Sequence, residues 1–183
     1  MKLYVKILAV VAVFAFSGTA SAANSLNTGS LALNVSVFDG TSAATQSSVA
    51  DGSADDLFII QGKYFVQKDL AILAGVGIGV KGGDADGTDF GVRAGARKYL
   101  KTTDFAPFFG GYFSYITVQD SDVKYTQIMG EFGAEYFFSK QFSVEGAARA
   151  GYMAGEAPDG FGGTVKATNV GTASAGVSFN FYF

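Results

Sequence analysis

The most constraining stretch of the chain is residues 170–183, V-G-T-A-S-A-G-V-S-F-N-F-Y-F. In an extended strand, successive side chains point to opposite faces. Phe183, Phe181, Phe179, Val177, Ala175 and Ala173 therefore share one face, and Asn180, Ser178, Gly176, Ser174 and Thr172 share the other. The first face is apolar and thickens into aromatics, while the second is small and polar. A water-soluble strand lays its apolar face on a core and ends in polar residues. A strand closing a barrel inside a bilayer does the reverse, with its apolar face on lipid and its polar face on the lumen. The stretch predicts a closed antiparallel barrel whose other strands obey the same inverted rule.

At the other end, Lys2 and Lys6 precede an apolar run over 7–16, followed by Ser17-Gly18-Thr19 and then Ala20-Ser21-Ala22. These are the three parts of a secretory signal peptide. Cleavage after Ala22 is expected, giving a signal over residues 1–22 and one barrel domain over residues 23–183. An uncleaved anchor fits less well, because the run is about half of the ~20 residues a spanning helix needs. No later stretch is apolar for long enough to form such a helix, so insertion would have to be by strands. The chain has 25 Gly, 18 Phe and 9 Tyr with 2 Pro, which suits short twisted strands. It has no Cys, so a secreted domain of this kind must be held by something other than disulfides, and sheet closure is one such device. The 13 basic residues include Lys2 and Lys6, leaving 11 against 16 acids, a net charge of −5 after cleavage. Nucleic acid is not an expected partner of so acidic a chain.

Eight strands follow from the alternation. The first spans 31–38, with Leu31, Leu33, Val35 and Val37 outward and Asn34 and Ser36 inward. After a long small-residue loop comes the second, 57–66, with Phe58, Ile60, Tyr64 and Val66 outward and Gln61 and Lys63 inward. The third, 70–80, sets Ile72, Ala74, Val76, Ile78 and Val80 against Gly75, Gly77 and Gly79. The fourth, 90–100, puts Arg93, Arg97 and Tyr99 inward. The fifth, 105–118, is ambiguous: Phe108, Tyr112 and Ile116 have one parity and Phe109, Phe113 and Tyr115 the other, so it carries a bulge or two apolar faces. The sixth, 125–138, puts Gln127, Glu131 and Glu135 inward. The seventh, 142–153, does the same for Ser143, Glu145 and Arg149. The loop 154–163 then leads to the closing strand. Three short turns, at Lys68, Thr102 and Lys140, alternate with four longer loops, and both termini lie on the turn side.

Two further patterns emerge. Aromatics crowd strand ends: Tyr64, Phe65, Tyr99, Phe105, Tyr136, Phe137, Phe138, Phe142 and Phe181 near the turns, and Phe38, Phe90, Tyr115, Tyr125 and Tyr152 near the loops. Two belts are expected at two bilayer interfaces. All three arginines and three of the four glutamates have inward parity. By distance from the turns, Lys63, Arg97, Glu135 and Glu145 form a lower layer, and Arg93, Glu131 and Arg149 a layer above it. An eight-stranded barrel is just wide enough for its side chains to fill it, so these seven are expected to meet as a structural ion-pair network. A narrow charge-lined channel is the competing reading.

Catalysis is poorly provided for. Without His or Cys, a Ser-His triad, a Cys nucleophile and the usual His-containing zinc sites are excluded. No catalytic residue, cofactor or metal is expected. Loop aspartates are abundant, and Asp84, Asp86 and Asp89 superficially resemble the start of a calcium loop. They lack the spacing and the distal Glu of an EF-hand.

The mature chain resembles the small outer-membrane barrels of Gram-negative bacteria, of the OmpA transmembrane-domain and OmpX type. The features that carry the resemblance are Ala20-Ser21-Ala22, segments such as Phe132-Gly-Ala-Glu-Tyr-Phe-Phe138, and Phe179-Asn-Phe-Tyr-Phe183. The resemblance implies an integral protein of the cell outer membrane, in contact with its lipid and lipopolysaccharide and monomeric. Its envelope or adhesion role would be exercised through surface loops whose ligand is not evident. It also implies that Phe179, Phe181 and Phe183 form the signal read by the barrel-insertion machinery. Barrel enzymes of the protease, phospholipase and deacylase kinds rely on a histidine, and this chain has none. A narrow pore or small-molecule conduit is the alternative role.

Overall fold

The computed structural model of the protein describes residues 26–39, 58–81, 87–118, 123–158 and 163–183. It contains eight strands: β1 (Leu31–Asp39), β2 (Phe58–Gln67), β3 (Leu70–Lys81), β4 (Gly87–Tyr99), β5 (Phe105–Val118), β6 (Val123–Phe137), β7 (Phe142–Pro158) and β8 (Thr164–Tyr182). Each pairs antiparallel with the next, and β1 pairs with β8, so the sheet closes into an up-and-down barrel. The expected signal peptide lies outside the described residues, as do Asp51, Asp55, Asp56, Asp84, Asp86, Asp120, Asp122 and Asp159.

The inverted alternation holds around the barrel. Ile72, Val76, Phe113, Ile128 and Phe132 are exposed on the outer wall, whereas Lys63, Arg97, Glu131, Glu135 and Glu145 are buried inside. Val35 has outward parity but is buried between its cross-strand partners Ile60 and Phe179. The ambiguous β5 has two apolar faces and no bulge. Its register is continuous with β4 and β6, with Phe109, Phe113 and Tyr115 exposed and Phe108, Tyr112 and Ile116 buried.

Several expected boundaries are wrong. Residues 154–158 continue β7 and residues 164–169 begin β8, so the expected 154–163 loop shrinks to 159–163. The ladder continues there because opposite charges face one another across it: Glu156 pairs with Lys166 at 2.8 Å and stands opposite Lys124. A register shift between Arg149 and Gly151 absorbs the change of pairing. The expected contrast between three short turns and four longer loops reduces to one long connection, residues 40–57. Asp89, expected in a loop, lies within β4 and is buried. That removes it from any loop calcium site.

Residues 26–30 lead into β1. Leu26 is fully buried at the turn end of the lumen. Gly29, with φ at +87°, supplies the left-handed bend that β1 needs to enter the sheet. Its N–H donates to Phe65 O at 2.8 Å, and the Phe65 N–H donates to Ser30 O at 3.0 Å.

Candidate functional site

The interior charges form the candidate site, and strand register assembles them. Arg97, Gly110, Glu131 and Arg149 occupy consecutive paired positions on β4, β5, β6 and β7. Because Gly110 has no side chain, the Arg97 guanidinium crosses β5 to reach Glu131. Its Nε donates to Oε1 at 2.8 Å and its Nη2 to Oε2 at 3.1 Å. A Cβ on Gly110 would lie 2.5 Å from Ala96 O and 3.1 Å from Glu131 Oε1. On the other side of Glu131, Arg149 Nε stands 3.9 Å from Oε2. Arg93 donates to Ser114 Oγ at 3.2 Å and lies 4.1 Å above the Tyr112 ring.

One row closer to the turns, Glu135 and Glu145 face each other directly on β6 and β7. Two adjacent carboxylates repel unless a cation stands between them. Lys63, on the opposite wall, supplies it: Nζ lies 3.1 Å from Glu135 Oε2 and 2.5 Å from Glu145 Oε2. Arg97 Nη1 also donates to Glu145 Oε2 at 2.7 Å. Glu135 accepts further hydrogen bonds from Tyr99 and Tyr182, each at 2.6 Å, and from the Ser143 hydroxyl. Asn180 Nδ2 donates to Ser143 Oγ at 3.0 Å, and Asn34 Nδ2 donates to Asn180 Oδ1 at 2.6 Å. That last bond ties the β1–β8 seam from within.

Apolar material flanks the network at both ends. Toward the turns lies an aromatic floor: the Tyr99 ring is 5.5 Å from Phe65 and 5.6 Å from Phe108, and Tyr182 is 5.2 Å from Phe137. Leu26 belongs to the same cluster, and Arg97 sits 3.8 Å above the Phe108 ring. Toward the loops, Ile116, Val118, Val123 and Tyr125 form a second cluster.

All seven residues proposed from sequence, Lys63, Arg93, Arg97, Glu131, Glu135, Glu145 and Arg149, project inward. Five of them, all but Arg93 and Arg149, share contacts of 3.1 Å or less. The expected division into two layers fails at Arg97, which register places in the row of Glu131 and Arg149 and which bonds both Glu131, over Gly110, and Glu145 in the row nearer the turns. The aromatic belts also need correction: Phe65, Tyr99, Phe137 and Tyr125 are buried in the lumen, and Phe181, of outward parity, is buried beside Phe142. Sequence reasoning missed Tyr182, Ser143 and Asn180 as partners of the charges, with Asn34 bonded to Asn180 behind them. Tyr182 shares its parity with Asn180 and Ser178, and that signal marks it as inward. On the outer wall, Phe142 of β7 lies 5.9 Å from Phe179 and 5.5 Å from Phe181, while Phe183 is 72% exposed. Each glutamate of the network is met by cationic or hydroxyl donors, which suits cross-linking opposite walls better than proton exchange with a substrate.

No protein-family model and no curated protein matches this sequence. Among solved structures, the chain is similar to the N-terminal beta-barrel domain of Pseudomonas aeruginosa OprF. The identity is 12% and the TM-score 0.52, with 85% of this chain and 98% of that one covered. Ail, the attachment invasion locus protein of Yersinia pestis, matches at 8% identity and a TM-score of 0.41, over 85% of this chain and 99% of that one. At 12% identity the likeness to the OprF barrel is one of fold: a closed, eight-stranded antiparallel barrel.

Proposed function

We propose that the chain is an integral protein of a Gram-negative outer membrane, in which a solid barrel anchors surface loops that serve an envelope-supporting or adhesive role. The observation that carries this reading is the inversion of the two walls. Large apolar side chains such as Phe132 at 63%, Ile128 at 59% and Phe105 at 55% exposure cover the outside, and the buried ionic groups fill the inside. In water such a surface far exceeds the apolar patch a monomer tolerates, whereas in a bilayer it is the required lipid face. The leader over 1–22 fits delivery through the secretory route, and the outward Phe179, Phe181 and Phe183 fit recognition by barrel-insertion machinery.

A packed ionic interior above an aromatic floor favours an anchor over a pore or conduit. The reading is tested by separating outer from inner membranes after expression in a Gram-negative host, with and without heating the extracted protein before electrophoresis. It expects the chain in the outer-membrane fraction, running as a compact band that shifts on boiling, and no steady conductance in planar bilayers. Recovery in the soluble periplasm would refute it. N-terminal sequencing of the mature chain is expected to begin at Ala23.

A further inference from the structure

The charges of the described residues sort by their place in the barrel. Inside the lumen, Lys63, Arg93, Arg97 and Arg149 are matched in number by Asp89, Glu131, Glu135 and Glu145. At the turn end, Lys68, Lys98, Lys101 and Lys140 stand against Asp69 and Asp104, a net of +2.

The turn-end lysines are also distributed around the rim. Lys68 lies in the β2–β3 turn, Lys101 in the β4–β5 turn and Lys140 in the β6–β7 turn, and all three are exposed. They border a band of exposed apolar and aromatic side chains that includes Tyr64, Leu100, Phe105, Tyr136 and Phe138. Lys98 marks the level of the interface. It has outward parity on β4, stands between Leu70 and the exposed Phe109 in neighbouring strands, and is held at 2.7 Å by Asp69. A charge on the outer wall is tolerated where the apolar band ends, because there it meets headgroups. A flexible lysine next to an aromatic belt lays its stem on the apolar edge and keeps its ammonium at phosphate depth.

We propose that the turn rim of this barrel is a docking surface for anionic phospholipid headgroups, with Lys68, Lys101 and Lys140 as its contacts. The inference rests on the membrane reading above and adds to it the lipid class at one end of the barrel. Each ammonium near an anionic surface is attracted within a Debye length. The barrel therefore gathers anionic lipid at its turn rim.

The test uses the mature chain folded into phosphatidylcholine vesicles at low salt, with spin-labelled phosphatidylglycerol or spin-labelled phosphatidylcholine as the probe. The heat-dependent gel shift verifies folding. The protein-restricted lipid population is expected to favour phosphatidylglycerol by about two- to fivefold. The combined variant Lys68→Gln, Lys101→Gln and Lys140→Gln is expected to lose that preference, as is the unaltered protein at high salt. The loop-end variant Lys124→Gln with Lys166→Gln is expected to retain it. Inserted protein with no preference, or a triple variant that retains it, would overturn the proposal. Failure to insert into either vesicle would overturn the membrane reading and this proposal with it.

Discussion

The two halves of the lumen solve the same packing problem with different chemistry. In the turn-end half, Lys63, Arg97, Glu131, Glu135 and Glu145 knit opposite walls together over a floor of Leu26, Phe65, Tyr99, Phe108, Phe137 and Tyr182. In the loop-end half, Ile116, Val118, Val123 and Tyr125 pack on one side, and β3 turns Gly75 and Gly77 inward. The first half depends on directional contacts in which every member needs its partner. The second also buries Asp89, opposite Val118, but rests mainly on apolar contact, which relaxes more easily around a defect. Sequence changes should therefore be felt unequally, and most strongly near the turns.

The largest effect is expected for Glu135→Ala. It takes one of the two carboxylates of Lys63, leaving Glu145 alone, and removes the acceptor shared by Tyr99, Ser143 and Tyr182. Loss of one member of a buried pair costs about 3–5 kcal/mol, read as the midpoint shift of reversible urea unfolding in lipid vesicles. Arg149→Ala is expected to cost less, since its Nε stands 3.9 Å from Glu131, but more than removal of any loop carboxylate. Equal unfolding midpoints for Arg149→Ala and such a loop variant would break the comparison.

Gly110→Ala comes next. The added methyl meets a strand carbonyl and the Glu131 carboxylate, and crowding of this kind costs about 1–3 kcal/mol. A neutral result would mean that Arg97 does not depend on the gap over β5. Ile116→Val, in the loop-end half, is expected to cost about 0.5–1.5 kcal/mol, and a loss as large as that of Glu135→Ala would erase the distinction between the halves.

The smallest effect belongs to the exposed Lys98–Asp69 pair. Its ammonium partner holds the Asp69 carboxyl below the usual carboxylate value of 3.8, so its contribution is present above that pH and fades as pH falls through the lower folded value. Lys98→Gln should leave stability at neutral pH nearly unchanged and slightly flatten the acid limb of the stability profile. A large neutral-pH loss would show that surface pairs matter here as much as buried ones.

The faces of the strands were legible in the sequence and the heights of their side chains were not. Parity alone puts Lys63, Arg97 and Glu145 in the lumen, because a strand has only two sides. Height depends on the stagger between strands and on what lies between two residues, so nothing local reveals that Arg97 reaches Glu131 over Gly110. The aromatics near the turns show the same limit. Position along the chain assigns Phe65, Tyr99 and Phe137 to a belt, whereas their parity, shared with Lys63, Arg97 and Glu135, sends them into the floor. Leu26 lies outside any strand and has no parity to read. The ends of β7 and β8 were hidden because small residues such as Gly155 and Ala157 give no alternation, and cross-strand charge pairing holds that ladder instead.

The central claim is that apolar side chains face lipid and ionic ones face a filled lumen. The chain has no Cys, so single cysteines carrying nitroxide labels can be placed along β6, at Ile128, Phe132 and Tyr136 on one face and at Gln127 on the other. Relaxation by oxygen and by a water-soluble nickel complex then reports what surrounds each label in vesicles. The account predicts high oxygen and low nickel access at Ile128, Phe132 and Tyr136, and low oxygen access at Gln127. Nickel access throughout the first three sites, or the same response at Gln127 as at its neighbour Ile128, would contradict it.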